Sequence, residues 1–361
     1  MKLLHCLTIA AVTGLLCGCD VHEFPSEDVP VQPASPEPVK VFRLNLRHNS
    51  DMPLLGEFDY TAGGVTAPSS RGFTPDEAQR PHDIRYTVNA YPMVNGEPSR
   101  VAGNSVTVTR SVDSGLDTSL SFPMPEGDYS LIVWTDYVDA GAVTDKYYNT
   151  SDFQEIILAD RLSHSGSNPW RDAFYGEVHT CVRGLSSRAA ASDTVTVGEA
   201  TVTLQRPMAR YTFVSTDLRR FLENEFATRS AGATPRTTAL SDYIVRFVYT
   251  RYMPCAFNAF TGHPADSWTG VSFESTIRQL NDDEAEVGFD YVFVNGTRTA
   301  VTVGLEVLDR DGNLLARIPP FDVPLERSRH TIVRGEFLTT KSGGEMGINP
   351  DYDGEFNIEI K

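Results

Sequence analysis

Cysteine and positive charge are both scarce in this 361-residue chain, and each shortage excludes a class of protein. Beyond residue 19 the cysteines are Cys181 and Cys255, so no closely spaced disulfide framework is present. We favour two buried free thiols, with a disulfide between them as the alternative in an exported protein. The 31 Lys and Arg residues stand against 48 Asp and Glu residues, which gives a net charge of −17. Such an acidic chain repels phosphate backbones, which argues against nucleic acid as a partner.

The motifs of common catalytic centres are also missing. The chain contains no Gly-x-Ser-x-Gly, no His-Glu-x-x-His, no phosphate-binding loop and no dinucleotide fingerprint. Its 8 histidines are scattered, and no two of them have metal-ligand spacing. Acidic clusters at 309–313 and 351–355 fit turns better than calcium loops, because the remaining ligands are absent. We therefore predict a protein that is not an enzyme and that holds no metal or other cofactor.

Long hydrophobic runs are absent except at the N-terminus. Residues 3–16 are mostly apolar, follow the positive Lys2, and are too few to span a bilayer as a helix. The run ends at Leu16, and Gly18 then precedes Cys19, which is the order of a bacterial lipobox. Lipid attachment needs the thiol, and a small preceding residue gives the signal peptidase access to the backbone. We predict a signal peptide of residues 1–18 and lipid on Cys19; an ordinary secretory signal is the alternative.

Proline and acidic side chains dominate the next segment, residues 19–40. Such a composition cannot offset the entropy cost of ordering by burying apolar surface. In polyproline geometry, at about 3 Å per residue, the segment would hold a folded body roughly 60 Å from the membrane. We predict an extended tether, with the membrane as a partner through the lipid on Cys19.

Strand-forming residues dominate the rest of the sequence. Val, Thr, Tyr and Phe recur between turns rich in Gly, Pro, Asn and Asp, which indicates an all-β protein. Residues 41–46 form the first predicted strand. Asn-Gly dipeptides at 95–96 and 295–296 each predict a hairpin. The irregular, polar sequence at 140–168 predicts long loops.

One helix interrupts this pattern. Thr216 is its predicted cap, and Asp217 lies favourably in its first turn. Leu218, Phe221, Leu222 and Phe226 then recur at helical spacing. Because Pro207 lies between the strand patterns on either side, we divide the folded part into domains at 41–205 and 206–361.

Several sequence blocks resemble fimbrillin-like anchor and accessory lipoproteins of type V pili, and a related lipoprotein domain family without assigned activity. Besides the lipobox, the blocks that carry the resemblance are residues 125–134, 172–176, 206–213 and 326–335. The resemblance implies two tandem transthyretin-like β-sandwich domains in a surface-facing lipoprotein of the outer membrane. It also implies a structural or adhesive role as a pilus anchor or accessory subunit, with pilin-like β-sandwich subunits as partners.

Two regular strand patterns are candidates for pairing with such a partner. An open sheet edge presents unpaired backbone groups that an extended segment of another chain can complete. The alternative is that both strands pair within their own domains. The candidate residues are Val41, Leu44, Leu46, Phe356, Ile358 and Ile360.

A second candidate function is glycan binding at the cell surface. Aromatic side chains can form a platform for sugar rings. Trp134 lies in an apolar strand and is expected in the core. Trp170 and Trp268 lie among Ser, Gly, Asn, Pro and Asp, so we expect them on exposed loops, where they would form the ligand platform.

Overall fold

A computed structural model describes residues 40–61, 64–66, 81–159, 164–183, 195–230 and 239–340. The predicted signal peptide, Cys19, the tether up to residue 39 and the candidate strand residues Phe356, Ile358 and Ile360 lie outside these ranges. The predicted all-β class is confirmed. The first strands are β1 Lys40–His48, β2 Leu54–Thr61, β3 Gly64–Thr66, β4 His82–Val94, β5 Glu97–Pro98, β6 Asn104–Ser111, β7 Thr118–Phe122, β8 Gly127–Asp139, β9 Tyr148–Asn149, β10 Ile156–Leu158, β11 Phe174–Val182 and β12 Val195–Leu204.

The second half continues the pattern after helix α1, Leu218–Ser230. Short 3-10 helices span Val112–Ser114, Pro169–Arg171 and Leu240–Asp242. The remaining strands are β13 Met208–Ser215, β14 Tyr243–Tyr249, β15 Met253–Asn258, β16 His263–Trp268, β17 Ser272–Thr276, β18 Arg278–Gln279, β19 Ala285–Phe293, β20 Arg298–Asp309, β21 Leu314–Glu326 and β22 His330–Gly335. No described helix reaches the length and hydrophobicity of a membrane-spanning helix.

The first sandwich packs the sheet β12-β1-β7 against a sheet ordered β11-β8-β4, to which β6 adds beside β4. β1 is the central strand of its sheet, parallel to β12 and antiparallel to β7. Alternate residues of each strand face inward, as a period of two requires. The core includes Phe42, Leu44, Leu46, Ile84, Tyr86, Val88, Leu131 and Val133.

The second sandwich packs the sheet β18-β19-β13-β22-β2-β3 against the sheet β17-β14-β20-β21. Aromatic rings fill much of its interior, and the Phe247 and Phe273 rings stack with centroids 4.6 Å apart. Aromatic pairs at such distances stabilise a core beyond their buried area. Other core residues include Tyr211, Phe213, Val245, Leu305 and Val307.

The predicted boundary between residues 205 and 206 stays a prediction, and strands from both sides of it share sheets. β2 pairs in parallel with β22 of the second sandwich. β9 and β10 form a four-stranded sheet with β15 and β16. One continuous apolar cluster contains Trp134, Tyr148 and Ile156 together with Phe257 and Phe293. The predicted core position of Trp134 is confirmed.

Two loop predictions need correction. The Asn-Gly pair at 95–96 does turn the β4–β5 hairpin, with positive φ at both residues. The pair at 295–296 instead joins β19 to β20, which lie in different sheets, because turn chemistry alone does not select the partner strand. Residues 140–168 are not only polar loops: Tyr148, Phe153 and Ile156 are at most 1% exposed.

The predicted helix is confirmed, but its cap and its apolar face are corrected. Asp217 precedes the helix, and its backbone carbonyl accepts the first helical hydrogen bond, from Phe221. The Asp217 carboxylate accepts bonds from the backbone amide and hydroxyl of Thr339, so it holds the chain after β22. Phe226 is 62% exposed because the helix packs through its first turns, where Leu218 is buried.

Neither of the two described cysteines, Cys181 and Cys255, is in a disulfide, which confirms the favoured prediction of thiols. Cys255 is buried as expected, whereas Cys181 is exposed. The difference follows from strand alternation on β11, where Val182 faces the core and Cys181 faces outward. The acidic cluster at 309–313 is a turn, in which Asp309 accepts bonds from the backbone amides of Asp311 and Asn313.

Candidate functional site

A polar groove lies on the outer face of the first sandwich, between strands β4 and β6 and the segment 143–154. Its volume is about 930 Å³, at the upper end of the range of about 300–1,000 Å³ for small-molecule sites. Val101 and Val143 stand at its rim and are 75% and 56% exposed. Side chains on its floor include Arg85, Thr87, Asn89, Ser105 and Thr107.

Strand alternation places these polar side chains on one face. Along β4, the even-numbered residues from Ile84 to Ala90 pack in the core of the first sandwich. Arg85, Thr87 and Asn89 therefore face the other way, into the polar groove. β6 pairs with β4 so that Ser105 lies opposite Asn89 and Thr107 lies opposite Thr87. Two strands thus supply a continuous floor of hydroxyl and amide groups.

Arg85 fixes one wall of the polar groove. Its side chain is buried and makes a bidentate pair with Asp136 of β8, at 2.8 Å and 2.6 Å. The remaining nitrogen donates to the carboxylate of Asp145 at 2.7 Å and to the backbone carbonyl of Val143 at 3.2 Å. Asp145 in turn accepts from the hydroxyl of Thr150 at 2.9 Å. The wall is therefore held in place before any ligand arrives.

These charges compensate one another. Burial alone would lower the pKa of Arg85, but its bonds to Asp136 and Asp145 outweigh burial and raise the pKa. Burial raises the pKa of Asp136, and the guanidinium of Arg85 opposes that rise. Burial also raises the pKa of the Tyr91 phenol at the groove lining, so this hydroxyl keeps its proton at neutral pH.

Arg100 forms the end of the polar groove opposite the wall that Arg85 fixes. The turn at Asp152 also lines the groove. The guanidinium of Arg100 lies over the Phe260 ring, 4.6 Å from its centroid, and Tyr91 packs 4.6 Å from the same ring. The Asp152 carboxylate accepts from the backbone amide of Gln154 at 2.8 Å, which fixes the turn that presents Gln154. Polar groups in this arrangement can donate and accept hydrogen bonds.

The candidate strand residues on β1 are all buried, and Leu44 and Leu46 face the core. Val41 is 9% exposed, and Leu44 and Leu46 are fully buried. Both backbone edges of residues 42–46 are paired, one with β12 and the other with β7. A partner strand at these residues would have to displace one of those neighbours. Pairing with a partner at Val41, Leu44 and Leu46, and at the C-terminal residues outside the described ranges, stays a prediction.

The structure corrects the expected exposure of Trp268. This side chain is 5% exposed, because it ends β16 and joins the shared apolar cluster. Trp170 is half-buried and stacks on His82, with ring centroids 4.2 Å apart. The two tryptophans do not meet, and neither lines the polar groove. The signal for the polar groove in the sequence is not a tryptophan. It is the alternation of polar residues at 85, 87 and 89.

The described ranges contain no group of three or more His, Cys, Asp or Glu side chains that could hold a metal ion.

Several solved structures are similar to this chain. A candidate adhesin from Bacteroides ovatus has 11% identity and a TM-score of 0.41, with 92% of this chain and 100% of that chain covered. A candidate polysaccharide-binding protein from Bacteroides thetaiotaomicron has 10% identity and a TM-score of 0.37, covering 77% and 80%. The fimbrial anchor protein Mfa2 from Porphyromonas gingivalis has 9% identity and a TM-score of 0.34, covering 76% and 81%. Identities and TM-scores this low assign no function to the chain.

The sequence itself gives a family. No curated protein matches it. A family model does match, over residues 45–361, which includes both sandwiches and nearly all of the described residues. The chain therefore belongs to DUF6562, a family of unknown function.

Proposed function

We propose that the chain is a lipid-anchored protein of the cell surface with a structural or adhesive role. The observation that carries this proposal is the position of β1. The sequence places Cys19 and the proline-rich segment directly before Lys40, where β1 begins. A tether attached at this point acts on the central strand of a sheet and not on a loop or a sheet edge.

The pairing of β1 suits a strand that carries a load. Nine residues of β1, from Lys40 to His48, pair with β12, with one register shift between Val41 and Phe42, and residues 42–46 also pair with β7. A pull along the strand strains both ladders together, because their hydrogen bonds lie across the direction of the pull. Leu44 and Leu46 are fully buried, so withdrawal of the strand would also expose apolar surface.

Lipid anchoring is tested by replacing the predicted modified cysteine. We expect Cys19→Ala to lose metabolic labelling with radioactive palmitate and to leave the membrane fraction. The unfolding temperature of the purified protein should stay the same, because residue 19 precedes the first strand at Lys40. Treatment of intact cells with protease should remove wild-type protein, which reports exposure at the surface.

The matched control is Cys17→Ala, which leaves Gly18 and Cys19 in place and should keep labelling and membrane retention. If Cys19→Ala remained in the membrane with its label, the anchoring proposal would be wrong. If Cys19→Ala lost the label but protease did not remove the wild-type protein from intact cells, the proposed surface location would be wrong. The proposed lipidation would still be supported.

A more specific version of the proposal is that the chain is a pilus anchor or accessory subunit. In this form, a pilin-like β-sandwich subunit pairs with a strand of this chain. Because both edges of β1 are occupied, the C-terminal residues Phe356, Ile358 and Ile360 are the better candidates for exchange. We expect the native protein, solubilised in detergent, to copurify with such a subunit.

Substitutions in the C-terminal strand pattern sharpen this test. Ile358→Asp should abolish the complex, whereas Glu359→Gln, a polar change at the neighbouring position, should leave it intact. The partner is identified by mass spectrometry as a β-sandwich subunit. Equal recovery of that subunit with both variants would contradict pairing at this segment.

Glycan binding is the second candidate function. The polar groove favours it, because its floor and walls offer many hydrogen-bonding groups at an open surface of the first sandwich.

A further inference from the structure

The strongest candidate for a ligand site is the polar groove, and we infer that it binds a neutral polysaccharide chain. This inference rests on the adhesive surface role proposed above and names the ligand class and the site. It is carried by the free hydrogen-bonding groups in the groove, the fixed geometry of its walls and the charge around it.

Several groove side chains are available to a ligand. The Gln154 amide, the Ser105 hydroxyl and the Arg100 guanidinium make no hydrogen bond to any residue that the structure describes, and all three line the groove. Asn89 donates from Nδ2 to the Tyr91 hydroxyl at 3.2 Å, which orients its carbonyl oxygen as an acceptor. The groove thus offers both donors and acceptors, which matches hydroxyl groups that both donate and accept.

The walls of the polar groove are fixed without a ligand. Arg85 ties the backbone at Val143 and the carboxylate of Asp145 to β4. Thr150 donates to Asp145, and the Asp152 turn positions Gln154. A site that is ordered in advance loses less conformational entropy on binding, so weak individual hydrogen bonds can add up to measurable affinity.

Other ligand classes fit the groove less well. An extended peptide binds by backbone pairing at a sheet edge, but the groove floor consists of side chains on a sheet face. An apolar ligand would bury the hydroxyl and amide groups of Thr87, Asn89 and Ser105 without partners, which is unfavourable. The volume of about 930 Å³ leaves room for several sugar rings.

Charge selects against an acidic glycan. Arg85 is already paired with two carboxylates, Asp136 and Asp145, and Asp152 adds a third acidic group at the groove. Arg100 alone cannot offset these charges or the net charge of −17 on the chain. A neutral chain of hexose or pentose units meets no such repulsion, and its hydroxyl groups can use Asp152 as an acceptor.

The test is affinity electrophoresis of the full mature protein in lauryldimethylamine oxide, a detergent without sugar. The gels contain soluble starch, dextran, mannan, galactomannan or xylan as neutral probes, and polygalacturonate or hyaluronate as acidic probes. We expect at least one neutral polysaccharide to retard the protein, with no retardation by the acidic ones. Titration calorimetry with the retarding polysaccharide then gives the dissociation constant.

Two variants locate the site. The double variant Asn89→Ala/Gln154→Ala removes one amide from the floor and one from the wall. It should weaken binding of the retarding polysaccharide about tenfold. Thr107→Trp places a large ring on the exposed face of β6 and should block the groove. The control is Ser272→Ala with Thr276→Ala, two exposed positions on β17 of the second sandwich, which should bind like wild type. Unchanged unfolding temperatures show that the variants remain folded.

Each remaining outcome overturns the inference. Retardation by acidic polysaccharides, alone or together with neutral ones, would overturn the ligand class. Neutral binding that both groove variants retain would overturn the site, and no retardation by any probe would overturn the inference as a whole. The Cys19→Ala experiment measures anchoring independently of glycan binding, so a failure of the groove leaves the proposed surface role standing and separately testable.

Discussion

Replacing Asp290 by Ala should lower the free energy of unfolding by about 3–5 kcal/mol, because removal of one partner from a buried ion pair leaves the other charge uncompensated. Asp290 lies on β19 and is 1% exposed. Its carboxylate accepts from the guanidinium of Arg171, from the His164 ring at 2.7 Å and from the Tyr249 hydroxyl at 2.6 Å. Urea unfolding of the variant and the wild type measures the difference.

The difference in the free energy of unfolding between wild type and an Asp290 variant should depend on pH in a defined direction. Burial alone would raise the pKa of Asp290, but Arg171 and His164 outweigh burial and lower the pKa to about 2. The folded-state pKa is thus below the unfolded value of about 3.9. The charged carboxylate therefore stabilises the fold above about pH 4, and this contribution is lost as the pH falls towards 2. The difference between wild type and Asp290→Asn should narrow by about 2 kcal/mol over that interval.

The matched control is Asp283→Ala. Asp283 pairs with Arg219 at 2.9 Å, but both side chains are more than half exposed, at 61% and 58%. Exposed ion pairs contribute about 0–1 kcal/mol, so this variant should unfold almost like wild type. Equal losses in Asp283→Ala and Asp290→Ala would show that burial of the Asp290 network contributes nothing to stability.

Much of the fold could be predicted because strands leave local signals. β1, β4 and β6 alternate polar and apolar residues, and the Asn-Gly pair after β4 fixes a turn. The partners of each strand could not be predicted in the same way. The strand pairs β2–β22 and β10–β15 join segments that lie far apart in the sequence, and no local pattern specifies them.

The polar groove shows the same division between local and non-local information. The polar residues at 85, 87 and 89 are visible in the sequence as one face of a strand. Their role in a groove depends on the segment 143–154, which Arg85 holds in place through Asp145. The expected exposure of Trp268 was wrong for a related reason: its polar neighbours in the sequence suggest exposure, but the ring packs into the shared cluster.

Replacing Trp134 by Ala should lower the free energy of unfolding by about 3–5 kcal/mol, the usual loss for a large aromatic side chain in a core. Trp134 lies on β8, is fully buried and faces away from the core of the first sandwich. Its ring centroid is 5.3 Å from that of Tyr148 and 6.1 Å from that of Phe257. Tyr148 precedes the predicted domain boundary and Phe257 follows it. Trp134→Phe keeps one aromatic ring in the site, so its free energy of unfolding should fall by less.

Because this cluster joins both sides of the predicted boundary, we expect the described sandwiches to unfold together. The chain has 3 tryptophans, and after Trp134→Phe one remains on each side of the boundary, Trp170 and Trp268. Further substitution of either one by Phe leaves a single fluorescent reporter in each variant. In a urea titration, the two reporters should give the same transition midpoint, as one cooperative unit requires. Two separate midpoints, or a Trp134→Ala effect confined to the Trp170 transition, would show instead that the predicted domains at 41–205 and 206–361 are independent folding units.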